Sequence, residues 1–417
     1  MPPEGIPLVT LKKSFREAGR AILLLSFSLV ISVLLVEVVI RIIGNQSDVF
    51  HMLDPDVGTV HIPIKSGWYT FEHGRIPIDI NSAGYRDVQR DLKKNQGTYR
   101  IAVLGDSFVA GFQVRQEDLL TSVLEERLND HSCSGTRFEV LNFGVNGAGT
   151  AQELETLRHK ALAFEPDLVL LFFYPSNDLF DNSQELRVQP FKLYYEFGPN
   201  GGLQKVPYTV VDPILKQWLR QHSKAYLFFH RSLAHVTALR RALRVLNLVQ
   251  PAAGVPTERS SDALEILQSS QYLREPPPAI DRAWRLTEAL IKAARSESAA
   301  ASADFAIIVI PNQEEILGNC SSAPTAEYDF ESSLSSVHEI CERHGIPLLS
   351  LVDDFRSDGK SLEEYYYPQD GHWTAEGHRL AALVTVEWLR PTLFADCSDQ
   401  QSLPKRKLES RLAGSGS

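Results

Sequence analysis

Three residues that lie far apart in the sequence can together perform nucleophilic catalysis. Ser107 ends the run Val103–Ser107 (VLGDS), and Asp370 and His372 belong to the segment Asp370–Trp373 (DGHW). A serine hydroxyl is a weak nucleophile until a base takes its proton, and a third group must hold that base in one tautomer. Because such a triad is defined by geometry, its members can be far apart in the chain. We therefore predict Ser107 as nucleophile, His372 as base and Asp370 as the acid that orients His372.

Acyl transfer through a serine also requires donors for the oxyanion of the tetrahedral intermediate. The sequence offers three candidates: the backbone N–H of Ser107, the backbone N–H of Gly147 and the side-chain amide of Asn177. Each has a simpler alternative, since Gly-Asp-Ser and Gly147 also suit plain turns and Asn177-Asp178 also suits a helix cap. Because Ser107, Gly147, Asn177 and the Asp370/His372 pair all occur in one chain, we expect them to form a common site.

Composition restricts the class of protein. The chain has 417 residues, of which 43% are hydrophobic and 23% charged, with a net charge of −10. These values are typical of globular protein, and the lack of a basic stripe argues against a nucleic-acid partner. No CxxC or Cys/His cluster has zinc spacing, so we expect neither a metal nor another cofactor. Cys320 and Cys341 either pair in an oxidising compartment or, like Cys133 and Cys397, stay free.

One apolar stretch near the N-terminus, residues 21–43, is long enough to cross a membrane. It is interrupted only by Glu37 and Arg41, which are four residues apart and can pair on one helix face. As a helix it measures about 34 Å, against about 30 Å for a bilayer core. Cations precede it and acids follow it, so the positive-inside rule places the N-terminus in the cytoplasm. A cleaved signal peptide and a buried globular helix are the alternatives to this signal-anchor.

Strand-like and helix-like stretches alternate along most of the remaining chain, which predicts an α/β fold with a parallel sheet. The predicted strands are 99–104, 138–143, 167–174, 305–310 and 347–351, and the predicted helices are 116–128, 151–163, 281–295, 330–343 (closed by Gly345) and 375–389. Residues 45–96 are turn-rich, and residues 179–280 break the rhythm as an insertion with helices near 213–229 and 233–248. Ligands bind beyond the carboxyl ends of such strands, where Ser107, Asn177 and the Asp370/His372 pair all fall.

Four short segments resemble the sequence blocks after which the SGNH (GDSL-type) hydrolase superfamily is named. They contain Ser107, Gly147, Asn177 and His372 at the four named positions. The resemblance spans roughly residues 99–389 and implies a three-layer, flavodoxin-like α/β/α fold and esterase chemistry through a serine ester. Two departures are present. Proline stands at position 175, where the family usually has glycine, and Asp370 lies two residues before His372 and not three.

The Asp-x-His-Trp form is similar to that of bacterial proteins that acetylate or deacetylate exported polysaccharides. Together with the anchor, it implies a periplasmic domain on the inner membrane, an acylated carbohydrate substrate and exopolysaccharide assembly proteins as partners. We expect a cytoplasmic tail at 1–20, the transmembrane segment at 21–43, a connecting region at 44–97, the hydrolase-like domain at 98–395 and a flexible tail at 396–417.

Several other residues have competing interpretations. Asp353 or Asp354 can supply the third triad member, or can simply be solvated. His378 is expected on a helix surface as a bystander. Trp373 and the aromatic run Tyr365–Tyr367 either contact a sugar or pack the protein interior.

Three functions fit these features. The first is a membrane-anchored serine esterase that removes acyl groups, above all acetyl, from a carbohydrate. The second is a polysaccharide O-acetyltransferase with the same triad, in which a sugar hydroxyl replaces water as the acceptor. The third is a glycan-binding member of an export complex that has no turnover.

Overall fold

The computed structural model describes residues 8–43, 47–132, 135–187, 189, 192–207, 214–234, 268–318 and 327–394. It begins with helix α1 (Leu8–Ile43), whose apolar part is exposed. Within α1, Gly19–Ile43 is long and apolar enough to cross a membrane, by length and composition. An apolar helix in this position is compatible with a membrane anchor or with a signal sequence.

Two antiparallel hairpins follow α1. They are formed by β1 (His51–Asp54) with β2 (Gly58–His61), and by β3 (Ser66–Phe71) with β4 (Gly74–Asp79). The sequence predicted only a turn-rich region here, and these strands were missed because they are short and contain glycine, proline and charged residues. Phe50, Ile78 and Ile80 pack against Ala110 and Phe112, so the hairpins support the segment that follows Ser107.

A five-stranded parallel sheet forms the centre of the molecule, with strand order β11-β10-β7-β5-β6. Its strands are β5 (Thr98–Gly105), β6 (Arg137–Gly144), β7 (Leu168–Phe173), β10 (Asp304–Val309) and β11 (Leu348–Ser350). All side chains of β7 are buried, as expected for a parallel strand that is covered on both faces. All five strands predicted from the sequence are confirmed, with ends that shift by one or two residues.

Helices cover both faces of the sheet. After α1 the α-helices are α2 (Ser107–Ala110), α3 (Leu120–Asp130), α4 (Thr150–His159), α5 (Pro175–Asn182), α6 (Ile214–His222), α7 (Lys224–Ala234), α8 (Pro278–Ala300), α9 (Gln313–Leu317), α10 (Ser332–His344), α11 (Val352–Ser357), α12 (Leu362–Tyr365) and α13 (Ala375–Leu393). One apolar cluster joins the sheet to α4, α8 and α10, and a second joins its other face to α3 and α13. The predicted three-layer α/β/α fold is therefore confirmed.

Three of the predicted helices are divided. The predicted helix 151–163 ends as an α-helix at His159 and is followed by a short 3-10 turn at Ala161–Phe164. The predicted helix 116–128 is divided, because Leu119 is extended (φ −62°, ψ 142°) between a short 3-10 turn and α3. The predicted helix 213–229 is also wrong as a single helix, since Ser223 separates α6 from α7 and accepts a hydrogen bond from the Tyr226 N–H (3.0 Å). The predicted C-cap at Gly345 is confirmed by its φ of 59°.

The insertion also contains a small antiparallel hairpin formed by β8 (Tyr195–Phe197) and β9 (Leu203–Lys205). Most of the helix predicted at 233–248 lies outside the described residues, as do Cys320 and the tail beyond residue 394. Cys341 is a buried free thiol.

Candidate active site

Ser107 lies at the junction between the central strand β5 and α2. Gly105 ends the strand in a place where a Cβ atom would collide with Val109. Asp106 caps α2 by accepting a hydrogen bond from the Phe108 N–H (2.9 Å). This tight turn leaves Ser107 9% exposed at the carboxyl edge of the sheet.

A continuous hydrogen-bonded chain joins Ser107 to His372 and Asp370. The Ser107 Oγ lies 2.7 Å from His372 Nε2, and His372 Nδ1 lies 2.5 Å from Asp370 Oδ1. Burial alone would lower the pKa of His372, but the hydrogen bond and charge of Asp370 outweigh it, so this pKa is raised. Burial would likewise raise the pKa of Asp370, and the contact with His372 lowers it instead. The arrangement suits a base that takes the serine proton and an acid that holds this base in one tautomer.

A tight turn explains how an acid only two residues before His372 can reach it. Gly371 has a φ of +77°, which favours glycine, and its N–H donates to the Tyr367 carbonyl (2.8 Å). The Tyr367 N–H in turn donates to the His372 carbonyl (2.8 Å). The chain thus folds back on itself between Tyr367 and His372 and brings both side chains to the same side.

Glu72, in the turn between β3 and β4, holds this loop from outside. Its carboxylate accepts the backbone N–H groups of Gln369 (3.2 Å) and Asp370 (3.1 Å). The hairpin thereby fixes the position of Asp370. Glu72 could not be identified from the sequence, because this residue contacts backbone atoms almost 300 residues away and lies in a segment without a motif.

Asn177 is brought to the same edge by α5. Pro175 occupies the first turn of this helix, where its missing N–H costs nothing, and Asp178 accepts a hydrogen bond from the Tyr174 N–H (2.8 Å). The Asn177 Nδ2 donates to Asp106 Oδ2 (3.0 Å), and the Arg187 guanidinium donates to Asn177 Oδ1 (3.3 Å). The amide is therefore fixed with its N–H side towards the residue that precedes Ser107, and one amide hydrogen remains for a ligand.

Gly147 lies in an exposed turn beyond β6 with a φ of +72°. Its carbonyl accepts a hydrogen bond from Lys192 Nζ (3.0 Å), and Lys192 also pairs with Asp181 of α5. The buried ion pair thus joins the turn that contains Gly147 to the helix that contains Asn177. Lys192 lies in the insertion, and nothing in the sequence identified it as part of the site.

Two further acids, Glu153 and Asp178, are buried close to this network. Burial, together with neighbouring negative charges, raises the pKa of both carboxyls well above the usual range. Both side chains are at most 2% exposed. Burial thus favours the protonated form of both carboxyls more than it is favoured in a solvated acid.

The structure also decides between the alternatives for the other candidates. Asp353 is 60% exposed and faces Arg356 on α11, so Asp370 is the acid in contact with the histidine. Trp373 is fully buried and belongs to the protein core. The expectation that His378 lies on a helix surface is wrong: it is 1% exposed, and its Nδ1 accepts a hydrogen bond from the Leu120 N–H (3.2 Å).

The aromatic run is divided between core and surface. Tyr365 and Tyr366 are buried, whereas Tyr367 is half-buried beside the hairpin. Its ring lies 5.0 Å from that of Phe71 and 4.9 Å from that of His73. These three rings form an aromatic group next to the Asp370 loop.

The segment 81–87 contains a turn and a buried arginine. Gly84 has a positive φ (+86°) in this turn. Arg86, which follows it, is fully buried and donates to the carbonyls of Ala110, Gly111 and Val114 behind α2. Arg86 therefore holds the C-terminal end of α2, the helix that begins at Ser107. Among the described residues, no group of three or more His, Cys, Asp or Glu side chains is placed to hold a metal.

Comparison with known proteins identifies a family. Residues 103–380 match the model of the GDSL-like Lipase/Acylhydrolase family. No curated protein sequence matches the chain.

Solved structures with a similar fold include three hydrolases. A lipase/acylhydrolase from Enterococcus faecalis has 14% identity and a TM-score of 0.38, covering 73% of this chain and 100% of its own. The psychrotrophic esterase EstA from Pseudoalteromonas sp. has 14% identity and a TM-score of 0.35, covering 70% and 98%. The acetyl xylan esterase AlAXEase has 11% identity and a TM-score of 0.36, covering 70% and 99%.

Proposed function

Since the chain belongs to the GDSL-like lipase/acylhydrolase family, and is thereby a hydrolase acting on ester bonds, we propose that it is a serine esterase that removes acetyl groups from an exported polysaccharide. The observation that carries the catalytic part of this proposal is the unbroken hydrogen-bonded chain Ser107–His372–Asp370, with distances of 2.7 and 2.5 Å. Its position at the carboxyl edge of the sheet is where ligands bind in such folds.

The proposed mechanism has two steps. The Ser107 Oγ attacks the ester carbonyl while His372 Nε2 takes the hydroxyl proton, and Asp370 stabilises the imidazolium that forms. When the tetrahedral intermediate collapses, the C–O bond to the sugar breaks and His372 returns the proton to the departing oxygen. Water then attacks the acyl-enzyme with the same histidine as base, which releases the carboxylic acid and frees Ser107.

The negative charge of both tetrahedral intermediates requires fixed donors. We assign the backbone N–H groups of Ser107 and Gly147 and the Asn177 amide to this role. The contacts of Asn177 with Asp106 and Arg187 support the assignment, because they hold the amide in one orientation before substrate arrives. The ion pair of Lys192 with Asp181 supports it in the same way for the turn that contains Gly147.

The carbohydrate part of the proposal rests on two features. The DGHW segment is similar to that of polysaccharide acetylation and deacetylation proteins. The aromatic group formed by Phe71, His73 and Tyr367 lies next to the triad acid, and aromatic faces of this kind pack well against apolar faces of sugar rings. Anchored by α1, the domain would work on the periplasmic face of the inner membrane, beside exopolysaccharide assembly proteins.

The test uses the full chain in detergent or nanodiscs with p-nitrophenyl acetate and with acetylated glycans. We expect release of acetate that is lost in Ser107→Ala, while the circular dichroism spectrum and the unfolding midpoint stay unchanged. The assay is repeated with a labelled acetyl donor and a glycan acceptor. Transfer of the label to a sugar hydroxyl in preference to water would show an O-acetyltransferase. A folded chain that binds glycans and releases no acetate would refute the esterase and leave the binding role.

A further inference from the structure

The end of α1 is attached to the insertion by hydrogen bonds to a single carboxylate. Glu37 accepts the Ser223 hydroxyl (2.8 Å) and the backbone N–H groups of Lys224 and Ala225 (both 2.9 Å). These groups form the beginning of α7, where N–H groups have no partner within the helix. Glu37 therefore caps α7 from another helix.

Arg41 attaches the same turn of α1 to α6. Its guanidinium pairs with Glu37 (2.7 Å) and also donates to the His222 carbonyl at the end of α6 (2.7 Å). Helix α7 packs on the last turns of α1, with Ala225 and Leu227 buried. The two charged residues of the stretch 21–43, Glu37 and Arg41, thus hold the α6–α7 pair at a fixed height on α1.

That height can be estimated from helix geometry. Glu37 lies six residues before Ile43, the last residue of the apolar segment. At about 1.5 Å per residue the start of α7 is roughly 9 Å below the end of that segment. Interfacial helices are buried to a depth of about 5–10 Å at the boundary between head groups and acyl chains. The α6–α7 pair therefore meets the bilayer if α1 crosses it.

The exposed side chains of the pair suit such a position. Leu215, Trp218, Phe228 and Phe229 are 68%, 54%, 42% and 47% exposed. Leu215 and Trp218 are three residues apart and share a face of α6. Large apolar side chains concentrated on a surface mark an interaction site, and tryptophan is enriched where a membrane meets water.

We propose that the α6–α7 pair is an interfacial membrane element that inserts Leu215, Trp218, Phe228 and Phe229 into the bilayer crossed by α1. The lipid acyl chains are the occupant, because the pair is continuous with the membrane-spanning segment through Glu37 and Arg41. This inference depends on the anchor role of α1 in the proposed function and goes beyond it: the insertion itself becomes part of the membrane attachment.

Quenching of tryptophan fluorescence by brominated phosphatidylcholine tests the proposal in the full chain, reconstituted in vesicles. Residues 1–43 contain no tryptophan, so quenching reports only on the part of the chain after α1. Trp218→Phe should remove most of the quenching, and lipids brominated near the head group should quench more than those brominated near the chain end. Trp388→Phe is the control, since Trp388 lies in α13 and packs against the apolar cluster of the sheet, and it should leave quenching unchanged.

The outcomes separate this proposal from the one on which it depends. If the chain floats with vesicles and Trp218→Phe leaves quenching unchanged, α1 is an anchor and the interfacial proposal is wrong, with a protein partner or a second copy then covering the pair. If the chain does not float with vesicles, both the anchor and the interfacial element are refuted.

Discussion

Replacement of Asp370 by asparagine tests the proposed triad most directly. The Asp370 carboxylate accepts from His372 Nδ1 at 2.5 Å, and the Gln113 side chain also lowers the pKa of Asp370. The asparagine is neutral, so it cannot stabilise the imidazolium that His372 becomes when it takes the serine proton. Where the asparagine NH₂ group faces His372 Nδ1, Nδ1 must accept, so that Nε2 carries the proton and cannot take one from Ser107.

The expected loss follows from this change of tautomer. In serine triads the same substitution lowers kcat by about 10⁴-fold, and we expect a decrease of about 10³- to 10⁴-fold here. This corresponds to about 4 to 5.5 kcal/mol of transition-state stabilisation. The fold should be preserved, because Glu72 binds the backbone N–H of Asp370 and not its side chain.

The assay is kcat/KM for p-nitrophenyl acetate, with circular dichroism and urea unfolding as checks of the fold. Asp353→Asn is the matched control, since Asp353 lies in the first turn of α11, is 60% exposed and is paired with Arg356 (3.6 Å). It should retain activity within about twofold. Retention of more than a tenth of wild-type activity by a folded Asp370→Asn variant would refute the assigned role of this acid, and so would an equal loss in Asp353→Asn.

Three other outcomes are expected from the same structure. The acidic limb of the pH dependence of kcat/KM should lie above the usual histidine pKa of about 6.5, because Asp370 raises the pKa of His372 and only the neutral imidazole can accept the serine proton. In Asp370→Asn this limb should shift to lower pH, and an unshifted limb would contradict the assignment. By the same sign, the stability contributed by protonated His372 is present below about pH 6.5 and is lost as pH rises through its higher folded pKa, which urea unfolding across pH can measure. Glu72→Ala should lower kcat by about tenfold or more with little change in KM, as misplacement of a catalytic group does. Glu72→Gln should retain part of the lost kcat, because its carbonyl oxygen can still accept one N–H. Equal activity in the wild type and both variants would show that the hairpin does not position the loop. His378→Leu should destabilise the fold by about 1–3 kcal/mol, because the buried Leu120 N–H loses its acceptor. Its kcat/KM should stay near wild type at any pH above 5, since burial lowers the pKa of His378 to about 3. A pH-dependent loss of activity would instead give this histidine a role in the reaction.

The sequence was sufficient for the parts of this site that depend on local pattern. The apolar runs that form β5 and β7 predict buried parallel strands, and the residues that follow them, Ser107 and Asn177, must meet at one edge. Gly371 between Asp370 and His372 likewise permits a local turn, which makes an acid two residues before the histidine workable.

The remaining features depend on contacts that no local pattern contains. The hairpin of β3 and β4 has short strands without a clear alternation, and Glu72 reaches a loop almost 300 residues away. His378 was misplaced because α13 packs against both the sheet and α3, which buries more of its circumference than a surface helix does. Lys192 acts through a buried ion pair with Asp181, and nothing in its own segment indicates that pairing.

The distance between nucleophile and base along the chain has a consequence for biogenesis. Ser107 and His372 are 265 residues apart, and His372 follows β11, the last strand of the sheet. At a synthesis rate of about 5–20 residues per second, the base emerges from the ribosome roughly 13 to 50 s after the nucleophile. With the proposed triad, a nascent or prematurely terminated chain carries the serine without the histidine that activates it. The proposed triad therefore confines ester hydrolysis to chains whose synthesis has passed His372 and whose outermost strand has joined the sheet.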